Sequence, residues 1–211
     1  MSEKFITIKE NIKIENTIKK SKFISILKKI NSEEEAKNFI NEYKKKYYDA
    51  THVCSAFVFG EKNQILRSND DGEPSGTAGK PMLEILIKNN IKNVCAIVIR
   101  YFGGIKLGTG GLVRAYSGGI IEALKLSTLV ERKKAFIYNF EIPYSLNGKI
   151  EYELKKTNFI LKDTIFTDKI NYVIYVIAEE EKIFLNWLIE KTNNNFQIIS
   201  CKEKELEFDI K

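Results

Sequence analysis

One histidine, three cysteines and three prolines stand in 211 residues, and the scarcity of each closes off some chemistry. His52 is the single histidine, so no serine or threonine has a ready base, and nucleophilic catalysis of the triad kind is disfavoured. Cys54, Cys95 and Cys201 are odd in number and show no C-x-x-C spacing, which argues against a disulfide framework and against zinc. The longest strongly apolar run, Val94 to Ile99, falls far short of the roughly 18 residues that cross a bilayer. The opening MSEKFITIKE is charged and lacks an apolar secretory core. A cytoplasmic chain with reduced thiols and no membrane partner is therefore expected. Nucleotide fingerprints are missing too. No G-x-x-x-x-G-K-[ST] occurs, because Pro74 stands five before Gly79 and Ile105 precedes Lys106. A dinucleotide motif starting at Gly108 would need glycine at position 113, which is Val113.

What the chain does have is ordinary globular composition, 44% hydrophobic and 29% charged, and a length that suits one large or two small domains. Its net charge of +6 is unevenly spread. Residues 1–134 hold 24 Lys+Arg against 15 Asp+Glu, whereas 135–211 hold 10 against 13. A basic first part suits contact with phosphate. The Lys44-Lys45-Lys46 run fits equally well as the solvated face of a helix.

Near-alternation of Ile and Phe with charge predicts strands over 5–15 and 22–30. Ser32 and Glu35 form a capping box for a helix whose apolar face is Ala36, Phe39, Ile40, Tyr43 and Tyr47. A strand follows at His52–Phe59, turned at Gly60–Asn63 into a short return over Gln64–Arg67. Ten of the 12 glycines then fall between Gly72 and Gly119, around a helix at Pro81–Asn89 and the buried strand Val94–Ile99. Gly108–Ser127 reads as a helix through Leu112, Val113, Tyr116, Ile120, Ala123 and Leu124. Gly118 and Gly119 inside it would each cost about 1 kcal/mol, so close packing of another backbone there is expected. The charged patch Glu131–Lys134 ends this part. Beyond it the order is strand 135–142, helix 144–156, strands 159–167 and 170–178, helix 181–192 and strand 197–209. This is a ferredoxin-like βαββαβ, with Phe184 and Trp187 expected in its core. The fold class is α+β in two domains, 1–132 and 133–211.

The chemistry is concentrated between Arg67 and Gly119. Gly108, Thr109, Gly110 and Gly111 stand where a long helix begins, and backbone N–H groups with the helix dipole make such a terminus an anion nest. Lys106 precedes it, Arg114 lies one turn inside, and Arg100 and Tyr101 emerge from the neighbouring strand. The competing explanation is that these glycines serve tight turns and close packing. In the earlier block, Asp70, Asp71 and Glu73 are candidate acids, bases or Mg²⁺ ligands, and Ser75 and Thr77 candidate nucleophiles. None has the partner such a role needs. His52 and Cys54 share a strand face, but side chains at i and i+2 lie about 7 Å apart, too far for direct proton transfer. No metal and no cofactor is implied.

The run GKPMLEILIKNNIKNVCAIVIRYFGGIKLG, preceded by RSNDDGEPSGTAGKP and followed by TGGLVRAYSGG, resembles the signature of the IMPACT/YigZ family. KKSKFIS (19–25) and DATHVCSAF (49–57) resemble that family's other blocks, so the likeness covers about residues 17–128. The resemblance implies an N-terminal domain like the second domain of a small-subunit ribosomal protein and domain IV of elongation factor G. It implies a C-terminal domain like domain V of that factor. It carries over a shared surface of His52, Asp70, Asp71, Glu73, Ser75, Gly76, Thr77, Gly79, Lys80, Arg100, Tyr101, Phe102, Gly103, Gly104, Lys106, Gly108, Thr109, Gly110, Gly111, Arg114 and Tyr116. Eukaryotic members restrain a starvation-sensing kinase, and their contact with its co-activator runs through an additional N-terminal RWD domain. The blocks here begin near residue 19, so that role is not expected of this chain.

The leading expectation is a non-enzymatic RNA- or ribosome-associated protein, linked to regulation of translation. In it Arg100, Lys106 and Arg114 neutralise phosphates, and Gly108 to Gly111 supply backbone donors. Tyr101 and Phe102 would stack on bases if they faced outward, but are expected as core aromatics. The alternative is an enzyme or binding protein for a small phosphorylated ligand at the same nest. A third reading makes residues 135–211 a protein-interaction module.

Overall fold

The computed structural model describes residues 5–60 and 63–210. In chain order the elements are β1 (Phe5–Ile8), β2 (Ile12–Ile18), β3 (Ser21–Lys29), α1 (Glu33–Lys46), β4 (His52–Phe59), β5 (Ile65–Asn69), α2 (Gly79–Lys88) and β6 (Val94–Tyr101). They continue as α3 (Thr109–Leu126), β7 (Leu129–Ile142), α4 (Asn147–Leu154), β8 (Ile160–Phe166), β9 (Ile170–Ile177), α5 (Glu181–Thr192) and β10 (Gln197–Asp209). The fold is α+β, and it divides into two compact units. One runs to Glu131 and takes up the chain again from Phe208; the other is Arg132–Glu207. The turn expected at Gly60–Asn63 includes residues 61 and 62, which lie outside the described residues.

The first unit is built on a sheet in the order β2-β3-β6-β4-β5. The pairings are antiparallel, so side chains alternate between its two faces. One face sends Phe23, Leu27, Cys54, Ala56, Ala96 and Val98 against Met82 and Leu86 of α2 and Tyr116, Ile120 and Ala123 of α3. The opposite face packs Ile24, Ile26, Val53, Phe57, Cys95, Ile97 and Ile99 on Ala36 and Phe39 of α1. Burial on both faces explains why β6 reads as an unbroken apolar run. The period of two also settles the end of that strand: Arg100 follows Ala96 and Val98 to the α2–α3 side, and Tyr101 follows Ile97 and Ile99 to the α1 side.

α1 starts as its sequence requires, with Ser32 Oγ accepting from the Glu35 amide at 3.0 Å. The reciprocal bond shifts by one residue, since the Glu35 carboxylate accepts from the Asn31 amide at 2.8 Å. Of Gly118 and Gly119 in the middle of α3, only Gly119 makes close contact, and it meets a side chain rather than a backbone. A Cβ there would lie 2.3 Å from Ser25 Oγ of β3, whereas Gly118 faces open space.

The second unit has the strand order β10-β7-β9-β8, the ferredoxin-like arrangement. Phe184 is fully buried between Tyr138, Phe140 and Phe159, while Trp187 is only partly covered. Two expectations about strands need correction. The stretch 5–15 is not one strand: exposed Lys9, Glu10 and Asn11 interrupt it, and β1 pairs with β7. The strand expected from residue 135 begins earlier, at Leu129, so the patch Glu131–Lys134, where the two units divide, lies within β7, and its charges find partners on β10, Arg132 with Glu205 at 2.9 Å and Lys134 with Glu203 at 2.7 Å. β8 is an edge strand whose pairing to β9 slips between Leu161 and Asp163, a bulge, and Ile160, Ile165 and Phe166 on it are exposed.

Gly118 of α3 and Gly79 at the start of α2 predict opposite responses to substitution. Gly118→Ala meets no neighbour and raises Tm by about 2–4 °C in a thermal melt. Gly79→Ala drives its methyl to 2.6 Å from the Asn69 backbone amide nitrogen and lowers Tm.

Candidate functional site

Directly across adjacent strands of the first sheet, Phe23 of β3 faces Arg100 of β6, and Arg100 faces His52 of β4. This row carries the site. Above it lies the loop after β5. Glu73 from that loop is buried, with 3% of its side chain exposed, and its Oε1 accepts from Arg100 Nη1 at 2.6 Å and from the Tyr116 hydroxyl at 2.7 Å. His52 Nε2 stands 3.8 Å from the other oxygen. His52 Nδ1 is 2.8 Å from the Asp71 carbonyl, which can only accept, so that nitrogen carries the hydrogen. The Arg100 guanidinium lies over two rings, 5.5 Å from the Phe23 centroid and 5.4 Å from that of Phe102. Its Nε is buried with no hydrogen-bond partner, and its Nη2 has only a long 3.5 Å contact with Ser21 Oγ.

The carboxylates of the loop have settled partners. Asp70 accepts from the amides of Ala78 at 3.0 Å, Gly79 at 2.8 Å and Gly76 at 2.8 Å, and so serves as the anion at the start of α2, whose own N-cap residue is alanine. Asp71 accepts from the Val53 amide at 2.7 Å and pairs with Lys44. Burial pushes its carboxyl up, but the Lys44 ammonium and the Val53 amide outweigh burial and hold it below its ordinary value. Candidate roles as metal ligands or free acids and bases are thus replaced by bonds that shape the loop. The Thr77 hydroxyl is engaged as well, donating to the Pro74 carbonyl at 2.7 Å. Cys54 Sγ lies 3.0 Å from the Asp70 carbonyl, and burial pushes the thiol up to about 12. Burial also pushes the Tyr116 hydroxyl well up, which keeps it a donor to Glu73.

Both glycine-rich blocks reach one cleft of about 420 Å³. Glu73 and Pro74 come from the first, and Arg100, Phe102, Lys106, Leu107, Gly108, Thr109 and Leu112 from the second. The first turn of α3 lines it with no side-chain cap, because the N-cap is Gly108 at φ +72, a conformation costly for other residues. Lys106, Thr109 and Gly110 are exposed there.

Several of the residues singled out in the sequence lie elsewhere. Tyr101 is on the α1 side of the sheet, its hydroxyl donating to Asp49 at 2.9 Å, because the alternation of β6 turns it away from Arg100. Phe102 is not a core aromatic: the strand ends before it, and 47% of the residue is exposed. Arg114 lines a neighbouring depression with Ile18, Lys19 and Gly111, one helical turn along from the cleft. Gly103 lies so close to the Lys20–Ser21 backbone that no side chain fits, which is a packing role, and Gly104 faces open space at φ +82. Ser75 and Lys80 are exposed and outside the cleft lining. Residues not singled out for the site complete it. Phe23 forms the layer beneath Arg100, and Pro74, Leu107 and Leu112 supply apolar wall. Their signal was the sheet order, which pairs Phe23 with Arg100 and which a single sequence does not display.

Two outcomes follow from this geometry. Arg100→Met strands a buried carboxylate and lowers unfolding free energy by about 3–5 kcal/mol, and adding Glu73→Gln recovers much of the loss in a double-mutant cycle. Additive losses would break the assignment of the pair. A thiol-titrating reagent at mildly alkaline pH modifies one cysteine per native chain, the exposed Cys201, and all three after unfolding, since burial pushes both Cys54 and Cys95 up to about 12.

Among known proteins, the model of the Impact N-terminal domain matches residues 19–124, and that of a domain of unknown function, DUF1949, matches 140–195. IMPACT family member YvyE of Bacillus subtilis is 45% identical over 208 residues, covering 99% of this chain and 94% of that protein. YigZ of Escherichia coli is 44% identical over 129 residues, 60% of this chain and 63% of that protein. A crystal structure described as that of a hypothetical protein aligns with TM-score 0.61 at 32% identity, covering 97% of this chain and all of that one. The likeness extends across both units and both glycine-rich blocks, and the chain belongs to the IMPACT family.

Proposed function

We propose that this protein is a non-enzymatic, RNA-facing factor, acting on RNA or the ribosome, whose cleft holds a phosphate at the first turn of α3. One observation carries the reading. Gly108 and Thr109 at the start of α3 line the cleft with no side-chain cap, beside Lys106 and the buried Arg100, whereas Asp70 already caps the start of α2. Helix dipole, backbone donors and Lys106 make this the favourable place for an external anion. Glu73 also lines the cleft, but its charge is matched by Arg100 at 2.6 Å. The basic balance of residues 1–134 supports attraction to a polyanion. In the same family, a protein from Dictyostelium discoideum is described as an IMPACT homolog and is 43% identical over 98 residues, which reach 44% of this chain and 27% of that protein.

The cleft volume favours a second reading, a free phosphorylated small molecule, because about 420 Å³ lies within the ordinary range for such sites. A thermal-shift panel of nucleotides and sugar phosphates separates the two: a specific rise in Tm without RNA binding supports the small molecule.

The test uses labelled structured RNA and ribosomal subunits at several salt concentrations, with Lys106→Ala/Arg114→Ala as the variant. Both side chains are exposed, so their removal leaves the fold intact, unlike removal of Arg100. The expected result is affinity that falls steeply with salt, with the log–log slope reduced by about two in the variant. Binding that is flat with salt, or absent at low salt, defeats the proposal.

A further inference from the structure

Phe102 is the exposed end of a run of cation–π contacts that begins inside the core. Phe23 is fully buried, and the Arg100 guanidinium lies over its ring at 5.5 Å and over the Phe102 ring at 5.4 Å. Arg100 is 94% buried by its side chain's 6% exposure and is fixed in rotation by Glu73 at 2.6 Å. The inner face of the Phe102 ring is therefore occupied, while the residue remains 47% exposed on a wall of the cleft. An aromatic face held rigid from beneath loses little conformational entropy when a flat ligand stacks on it.

A second observation, independent of the helix terminus, points to a ligand here. Arg100 lines the cleft, yet of its donors Nη1 alone makes a short bond, Nη2 has only the 3.5 Å contact and Nε has no partner. A guanidinium so deeply buried and so incompletely bonded is the exception that calls for a functional account. The phosphate-facing turn at Gly108 and Thr109, with Lys106, lies on the same cleft.

Resting on the nucleic-acid reading above, we infer that the cleft takes one unpaired nucleotide of a single strand, its base against the outer face of Phe102 and its phosphate at the first turn of α3. A duplex is excluded by chemistry: its base faces are covered by their neighbours, and only a splayed or unpaired base offers a face to a ring. Stacking on one aromatic is tolerant of sequence, since every base has a π-face, so the cleft selects strandedness rather than sequence. The shared chemistry, a base joined to a phosphate, also belongs to a free mononucleotide, and the strand is favoured because the basic balance of residues 1–134 continues the attraction beyond one phosphate.

The experiment compares a short uridine-rich RNA carrying one central 2-aminopurine with the same strand annealed to its complement, and with adenosine monophosphate as competitor. The proteins are the natural chain, Phe102→Ala, Phe102→Tyr and Lys106→Ala. The expected result is single strand bound at least tenfold tighter than duplex, with 2-aminopurine fluorescence quenched on binding. Phe102→Ala loses roughly 5- to 150-fold in affinity and the quench, at an unchanged salt slope. Phe102→Tyr retains both. Lys106→Ala keeps the quench and lowers the slope by about one. Salt-sensitive binding that ignores Phe102→Ala, or treats strand and duplex alike, overturns this inference and leaves the nucleic-acid reading standing. Adenosine monophosphate binding as tightly as the strand overturns the assignment to a strand. Absence of salt-sensitive binding to either RNA removes both.

Discussion

The Glu73 carboxylate is the constraint on which the site depends. It lies buried, bonded to Arg100 and Tyr116, and so joins three distant segments: the loop after β5, the end of β6 and the middle of α3. Taking a carboxylate and a guanidinium out of water costs several kcal/mol, and their attraction returns it only when position and hydrogen bonds are right. The pair thus acts less as a source of stability than as a registration mark. With Glu73 elsewhere, the loop would lose its fixed height over the sheet. The loop is fastened along its length as well, by Cys54 to the Asp70 carbonyl, His52 to the Asp71 carbonyl and the Val53 amide to the Asp71 carboxylate.

The two helices that flank the site begin in contrasting ways. α2 has its anion in the chain itself, since Asp70 gathers the amides of Gly76, Ala78 and Gly79. α3 begins at a glycine with positive φ and has no side-chain cap. The free energy of a missing cap, typically about 1 kcal/mol, is forgone by the folded protein alone and becomes available to whatever brings negative charge to that turn.

Local physics was legible wherever the determining residues are neighbours in sequence. The capping box at Ser32, the two-residue alternation of β6, and the βαββαβ order of the second unit all follow from spacing within one element. The failures are long-range. Asp70 reads as a catalytic candidate until the amides it serves are known. The early start of β7 is missed because Glu203 and Glu205, which pair with Lys134 and Arg132, stand some seventy residues on. For Tyr101 and Phe102 the difficulty is the last residue of a strand: alternation holds through Tyr101 and lapses at Phe102, so one turns to the α1 side and the other is left on the cleft wall.

The bulge in β8 bears on the protein's behaviour in a crowded solution. Ile160, Ile165 and Phe166 are exposed on this edge strand, a composition that elsewhere invites another chain to add itself to the sheet. The slip between Leu161 and Asp163 spoils the even spacing of backbone donors and acceptors along the edge, so an incoming strand finds its register for only a few residues before losing it. Apolar side chains can then remain at the surface without seeding fibrils, because the backbone itself denies them a template.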